Sequence, residues 1–325
     1  MRYQFLGRSG LKISRLVLGT YNFGTVTDET EAFAIMDAAL DAGINMFDTA
    51  NHYPDFTNCG LTEEIIGKWL AQDSSRRERL VLATKVYQPM KDPSDGPNDA
   101  PGLSKYIIHR HLQDSLDRLG VEHIDLYQMH HIDRRTTWDE IWESFGECQS
   151  QGKVRYVGSS NFPGWQLSQA QAAAEARQQF GLVSEQHKYN LLCRLPELEV
   201  LPAAKELGIG VLVYSPLESG MLSGHALDAP ANSRSSQGKA RAEKMRDQLE
   251  ALASLARELD TEDAILAMAW ILAQDAVTAL VIGPRTAEQL NNALKAADLV
   301  LEDQALEKLK EIFPGYGAAP EAYAW

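Results

Sequence analysis

The chain has 325 residues, 44% of them apolar and 23% charged, proportions that exclude a disordered or fibrous protein. Acidic residues outnumber basic ones by 45 to 31, a net charge of −14, so nucleic acid and anionic membranes are poor partners for this chain. At about 150 residues per domain the length fits two domains or one large α/β barrel.

The first ten residues, MRYQFLGRSG, contain no hydrophobic signal core, which predicts a cytoplasmic protein. The longest apolar run, 264–273, ends at Gln274-Asp275 and is too short to span a bilayer, so it reads as a core helix. Cys59, Cys148 and Cys193 are odd in number and lack a CxxC spacing, which argues against a disulfide framework or a zinc site.

In chain order, residues 2–13 are split by Gly7-Arg8-Ser9-Gly10 and predict a hairpin. Eight short β-rich runs follow, at 15–19, 45–48, 80–85, 124–130, 154–159, 182–186, 209–214 and 279–283. Each interval has room for one helix. In the first, Thr27 is a candidate cap, Asp28 and Glu29 suit the positive helix end, Phe33, Met36 and Leu40 share a face, and Gly43 ends the helix. Residues 88–103 and 216–241, rich in Pro, Gly, Asp and Ser, predict long loops, and the tail from Phe313 is too rich in Gly and Pro for helix. This alternation predicts a single domain over 1–325, an α/β fold of the (β/α)8 TIM barrel type with an N-terminal hairpin, long loops on the C-terminal face and a tail, 312–325, near the pocket.

Such barrels build their sites where strands end. The second run ends in Asp48, with Tyr53 just beyond; the third ends in Lys85, the fourth in His130, the fifth runs into Ser160-Asn161, the sixth into Gln186, the seventh into Tyr214 and the eighth into Gly283-Pro284-Arg285. Asp, Tyr, Lys and His together suit proton donation to a carbonyl oxygen. A nearby ammonium should lower the phenol's pKa, Asp48 should balance Lys85, and a neutral His130 should orient the carbonyl. Lys85 at an open mouth should be replaceable by Met without unfolding the chain. His130-His131 with Asp133 resembles a metal cluster, but adjacent strand residues face opposite ways, so His131 is expected on the outer face and no metal is predicted. His52, beside Tyr53, is a candidate substrate contact, but an exposed loop histidine is the commoner case.

The runs LGTYNFG (18–24), DTANHY (48–53), ATK (83–85), DLYQMHHID (125–133), GKVRYVGSSNF (152–162), YSPLESGML (214–222) and IGPRTAEQLNNAL (282–294) resemble the aldo/keto reductase superfamily, in order and over nearly the whole chain. The resemblance extends to the branch that includes bacterial deoxysugar-pathway reductases and channel β-subunit-like proteins. It implies NADP(H) as cofactor and an aldehyde or ketone as the small-molecule substrate. It also implies a tetrad of Asp48, Tyr53, Lys85 and His130 with Tyr53 as general acid, a carboxamide site at Ser160, Asn161 and Gln186, and a ring-stacking Tyr214. Further cofactor contacts implied are Gly19, Thr20, Ser215, Pro216, Leu217, Gly220, Leu222, Gly283, Arg285, Gln289 and Asn292, with Arg234 as a candidate clamp. Neither GxGxxG nor GxxxxGK[ST] occurs, so the pyrophosphate must be held elsewhere: by the 215–222 loop and by the helix opening after Arg285, whose guanidinium suits a 2′-phosphate. The loop 54–60 departs from the family's shorter glycine-rich version. Candidate wall residues are Tyr21, Phe23, Tyr87, Trp165, Tyr316, Tyr323 and Trp325.

Two alternatives accompany carbonyl reduction. One is reduction of a nucleotide-linked keto-deoxysugar or an enone, although His130 stands where related double-bond reducers carry Glu. The other is a cofactor-sensing regulatory subunit, against which the absence of an N-terminal inactivating segment counts. Neither the physiological substrate nor the oligomeric state is legible.

Overall fold

The computed structural model describes residues 1–227 and 239–324; Arg234 and Trp325 lie outside the described residues. An antiparallel hairpin of β1 (Tyr3–Phe5) and β2 (Lys12–Ser14) precedes eight parallel strands. These are β3 (Leu16–Gly19), β4 (Met46–Asp48), β5 (Val81–Val86), β6 (Ile124–Met129), β7 (Val154–Ser160), β8 (Leu182–Lys188), β9 (Gly210–Tyr214) and β10 (Val277–Ile282). They pair in chain order, and β10 pairs with both β9 and β3, closing a (β/α)8 barrel.

Alternation along each strand sorts side chains into two cores. Outward-facing residues such as Leu82, Tyr127 and Val157 meet the helices in one large cluster. Inward-facing Val17, Met46, Ala83, Leu126, Leu212 and Ala279 form a small apolar plug, completed by Leu6 and Ile13 of the hairpin. The hairpin closes the N-terminal end of the barrel tightly: a Cβ on Gly7 would lie 2.6 Å from the carbonyl oxygens of Val183 and Gly208. With that end sealed by apolar side chains, the next inward residue of β4, β5, β6 and β8 is polar, and it points toward the open end.

The helices are α1 (Glu29–Asp41), α2 (Leu61–Ala71), α3 (Ser75–Glu78), α4 (Lys105–Leu119), α5 (Trp138–Ser150), α6 (Gly164–Ala176), α7 (Val200–Glu206), α8 (Lys239–Lys244), α9 (Arg246–Glu258), α10 (Asp263–Leu272), α11 (Ala287–Asp298), α12 (Asp303–Ile312) and α13 (Glu321–Ala324). The expectation of one helix per interval is too sparse, since α8, α9 and α10 all lie between β9 and β10. The apolar run at 264–273 is buried from Ile265 to Leu272, as a core helix requires. At α1 the cap is Asp28, whose carboxylate accepts from the Glu31 N–H, whereas the Thr27 hydroxyl is buried without a partner. A carboxylate one residue later satisfies the helix end and answers its dipole as well. The tail does form one helical turn, α13. It runs past the loop after β8, where the Ala319 N–H donates to the Leu198 carbonyl. Among the described residues, no helix is long and apolar enough to cross a membrane.

Candidate active site

The inward positions above the apolar plug carry the charge. Register places Asp48 beside Ala83, Lys85 beside Gln128 and Ser160 beside Gln186, so residues far apart in sequence form one polar layer. Lys85 Nζ donates to Asp48 Oδ2 at 2.5 Å and to the Thr49 carbonyl at 2.9 Å, and lies 3.5 Å from Tyr53 Oη. Asp48 Oδ1 accepts from Gln128 Nε2 at 2.8 Å and from Gln186 Nε2 at 2.9 Å. The Asp48 carboxylate is therefore held on both oxygens. Lys85 is 0% and Asp48 2% exposed, which makes them a buried ion pair rather than a pair at an open mouth.

Tyr53 follows β4 on a loop whose backbone turns back, its N–H donating to the Ala50 carbonyl. Its ring meets His130 edge-on, with centroids 5.8 Å apart. The sign of the Lys85 effect on Tyr53 is as expected, but its weight is not. Burial pushes the phenol up, the ammonium pulls against it, and the net value stays above the ordinary tyrosine value. The phenol therefore holds its proton at neutral pH. Burial pulls the Lys85 ammonium down, but the Asp48 carboxylate and Tyr53 more than offset it, so Lys85 stays charged. His130 lies well below the ordinary histidine value, through burial first and then Lys85, His52 and His131, and is neutral.

Two expectations about histidines fail, each for its own reason. The strand β6 ends at Met129, so His130 and His131 are not bound by strand alternation. Their rings stack at 5.1 Å with planes 5° apart, and His131 meets Tyr87 edge-on at 5.2 Å. His131 thus sits beside the mouth, not on the outer face. His52 is only 9% exposed, packed on Phe56, Tyr53 and His130. Among the described residues, no group of three His, Cys, Asp or Glu could hold a metal ion.

Around this centre, Thr20 is buried and both its N–H and its hydroxyl donate to the Asp48 carbonyl. Gly19 is required by barrel closure, since a Cβ there would lie 2.8 Å from Val281 Cγ1. Ser160 Oγ donates to the Gln186 carbonyl, and Asn161, with a left-handed φ of 62°, donates to the His130 carbonyl and accepts from Tyr214 Oη at 2.8 Å. Ser160, Asn161, Gln186 and Tyr214 therefore adjoin the tetrad. Ser215, Pro216, Leu217 and Gly220 form a turn with left-handed backbone at Ser215 and Gly220. Leu222 is wholly buried, and its N–H donates to the Leu217 carbonyl. The exposed Gly283 accepts through its carbonyl from Asn22 Nδ2, and Thr286 caps α11 through the Gln289 N–H. Gln289 Oε1 accepts from the Arg285 N–H, and Asn292 Nδ2 donates to Glu262. Of the wall candidates, Tyr21 meets Tyr53 edge-on at 5.1 Å, whereas Phe23 is fully buried in the outer core and is no wall residue. Trp165, Tyr316 and Tyr323 are exposed.

Sequence reasoning missed Gln128 and Glu218. Gln128 was accessible by parity, being two residues before His130 and two after the inward Leu126. Glu218 was not. Its carboxylate is 6% exposed and binds Lys188, Asn190 and Arg241, tying the 215–222 turn to β8 and α8, a convergence set by tertiary structure alone.

A closed parallel barrel whose open end holds a buried ion pair, a protonated tyrosine and neutral imidazoles is the arrangement of an enzyme. The Aldo/keto reductase family model matches residues 15–313, and the chain belongs to that family, an oxidoreductase by its relatives. It is 58% identical over 326 residues, the full length of both chains, to an uncharacterized oxidoreductase of Bacillus subtilis. It is 32% identical to a putative aryl-alcohol dehydrogenase of Schizosaccharomyces pombe, covering 95% of each chain. It is also 30% identical to a probable voltage-gated potassium channel subunit beta of Arabidopsis thaliana, covering 99% of this chain and all of the other.

Proposed function

We propose that the protein reduces aldehyde or ketone carbonyls to alcohols, with NADP(H) as cofactor and Tyr53 as general acid. The observation that carries this reading is the protonated Tyr53 hydroxyl 3.5 Å from a buried ammonium that Asp48 fixes. The residues around it suit a nicotinamide. Asn161 and Gln186 bring amide groups beside the tetrad, and Tyr214 offers an aromatic face. The opening turn of α11, with the Arg285 guanidinium and the exposed Gly283, suits phosphates through its positive helix end and a cation. Adenosine contacts by Gln289 and Asn292 require those side chains to exchange their present partners.

Bound there, a reduced nicotinamide supplies hydride to the carbonyl carbon. Tyr53 Oη gives its proton to the carbonyl oxygen as the C=O π bond breaks, so one C–H and one O–H bond form. His130, neutral, donates to that oxygen and fixes it. Lys85 steadies the phenolate that Tyr53 becomes, and Asp48, held by Gln128 and Gln186, keeps the ammonium in place.

Tyr53→Phe tests this. The ring and its packing remain and only the proton donor goes, so kcat for aldehyde reduction should fall about 10²- to 10⁴-fold while NADPH titration is nearly unchanged. Wild-type turnover in the variant would remove Tyr53 from its role. A wild-type chain that binds NADPH and reduces no carbonyl would instead support a cofactor-sensing subunit.

A further inference from the structure

Behind the turn that carries Tyr53 runs a buried polar chain that the reaction just described does not use. Asn51, His111 and Asp95 are 0%, 1% and 3% exposed. They come from three separate segments: the turn after β4, the middle of α4 and a short 3-10 helix, Pro93–Asn98, in the 88–103 loop. Asn51 Nδ2 lies 3.2 Å from His111 Nδ1, His111 Nε2 lies 3.4 Å from Asp95 Oδ2, and Asp95 Oδ1 accepts from Arg110 Nε.

Charge fixes the direction of these bonds. Burial holds His111 below the ordinary histidine value, with Asp95 and Asp114 pulling up and Arg118 pulling down, so the ring is neutral at pH 7 and carries one N–H. That N–H belongs on Nε2, facing the carboxylate, which leaves Nδ1 as an acceptor and requires Asn51 to turn its N–H groups toward the ring. Asn51 Oδ1 is thereby left buried without a partner. The amide is oriented by what His111 needs and against its own hydrogen-bonding capacity.

Asn51 sits where its orientation bears on the tetrad. The Tyr53 N–H donates to the Ala50 carbonyl, which makes Asn51 and His52 the corner residues of the turn that carries Tyr53, and the Asn51 N–H donates to the Lys85 carbonyl at 3.3 Å. Asn51 is thus bonded through its backbone to the end of β5 and through its side chain to α4. Between those two anchors hangs a phenol that must stay 3.5 Å from the Lys85 ammonium. We propose that Asn51 is a positioning residue, locked by His111 and Asp95, that holds the Tyr53 hydroxyl against Lys85 and so sets the rate of proton transfer. Fully buried, it touches neither substrate nor cofactor. The 88–103 loop takes part at a distance, because Arg110 ties it to α4 through Asp92 and Asp95, and its seating fixes the ring that fixes Asn51. The proposal rests on the reading of Tyr53 as general acid.

Three variants of the full chain test this. His111→Phe fills the same space and cuts the chain in its middle. Its kcat for aldehyde reduction should fall about tenfold, with KM and the NADPH dissociation constant within about twofold of wild type, because the acid is displaced and the binding surfaces are not. Asp95→Asn should give a smaller loss of the same kind, since an amide no longer holds the ring's proton on Nε2. His111→Gln, which keeps an acceptor and a donor, should recover part of kcat. The readout without turnover is the carbon-13 Cζ resonance of Tyr53 in labelled protein, assigned by its loss in Tyr53→Phe. It should move in His111→Phe and Asp95→Asn and return toward wild type in His111→Gln. Wild-type kcat and an unmoved Tyr53 resonance in a folded His111→Phe or Asp95→Asn overturn the proposal alone, as does a loss confined to KM. A wild-type chain that reduces no carbonyl overturns the carbonyl-reductase reading, and the Tyr53 resonance then still decides whether His111 positions that ring.

Discussion

At the scale of single residues, the Lys85–Asp48 pair joins stability to chemistry. Both side chains are shut off from water, and the ammonium reaches the carboxylate at 2.5 Å and the Thr49 carbonyl at 2.9 Å. Removing one member of a buried pair strands the other, at a cost of about 3 to 5 kcal/mol. Lys85→Met should therefore lower the thermal midpoint substantially, contrary to what a lysine at an open mouth would allow. Asp48→Asn combined with Lys85→Met should recover part of the loss, because the stranded charge is gone. Both variants should be inactive toward every carbonyl alike, since the defect lies in proton transfer and not in substrate fit. Melting curves of the two variants decide the point: a single variant as stable as wild type would mean that the pair carries no such weight.

At the scale of elements, the opening of α11 is the part of the barrel rim suited to phosphate. Thr286 caps the helix, the exposed Gly283 leaves the approach open, and Arg285 precedes the first turn. The aligned peptide dipoles favour anions there, and a guanidinium adds a charge-assisted bond. Arg285→Ala should weaken NADPH binding by about 1.5 to 3 kcal/mol and leave NADH binding nearly as it was. Fluorescence titration with both cofactors measures this. Equal weakening of the two would show that Arg285 does not read the 2′-phosphate.

At the scale of the whole molecule, buried neutral histidines make the fold acid-sensitive. His52, His111, His130 and His131 all lie below the ordinary histidine value of 6.5, burial being the first cause in each. A depressed folded value means that the unfolded chain binds the extra protons. The stability is complete above about pH 6.5 and is lost as pH falls toward the folded values, which for His52 is about 4. Every tenfold drop in a ring's proton affinity on folding corresponds to about 1.4 kcal/mol. Urea melts at pH 7.5, 6 and 5 should show falling midpoints, with a shallower fall for His52→Phe. Identical midpoints at pH 7.5 and 5 would contradict the burial of these rings.

The barrel and the candidate residues at its rim could be read from sequence because both follow from local periodicity, whereas the roles of Asp48, Tyr53, Lys85 and His130 as a tetrad were implied by resemblance. Strands of period two separated by helical intervals dictate a parallel barrel, and the residue closing each strand lands on one rim whatever the helices do. Asp48, Lys85 and Gln186 were found in this way. Local pattern could not tell that β6 stops one residue early, which brings His131 beside His130. It could not show that a loop histidine at 52 is buried, or that Glu218 gathers Lys188, Asn190 and Arg241. Nor could it weigh burial against charge at Tyr53, because the sign of a Coulomb effect is written in residue type while desolvation depends on what packs around the group. The sequence by itself determined which groups reach the barrel mouth; the tertiary structure decided which of them are buried, neutral and partnered, since those properties belong to contacts between distant segments.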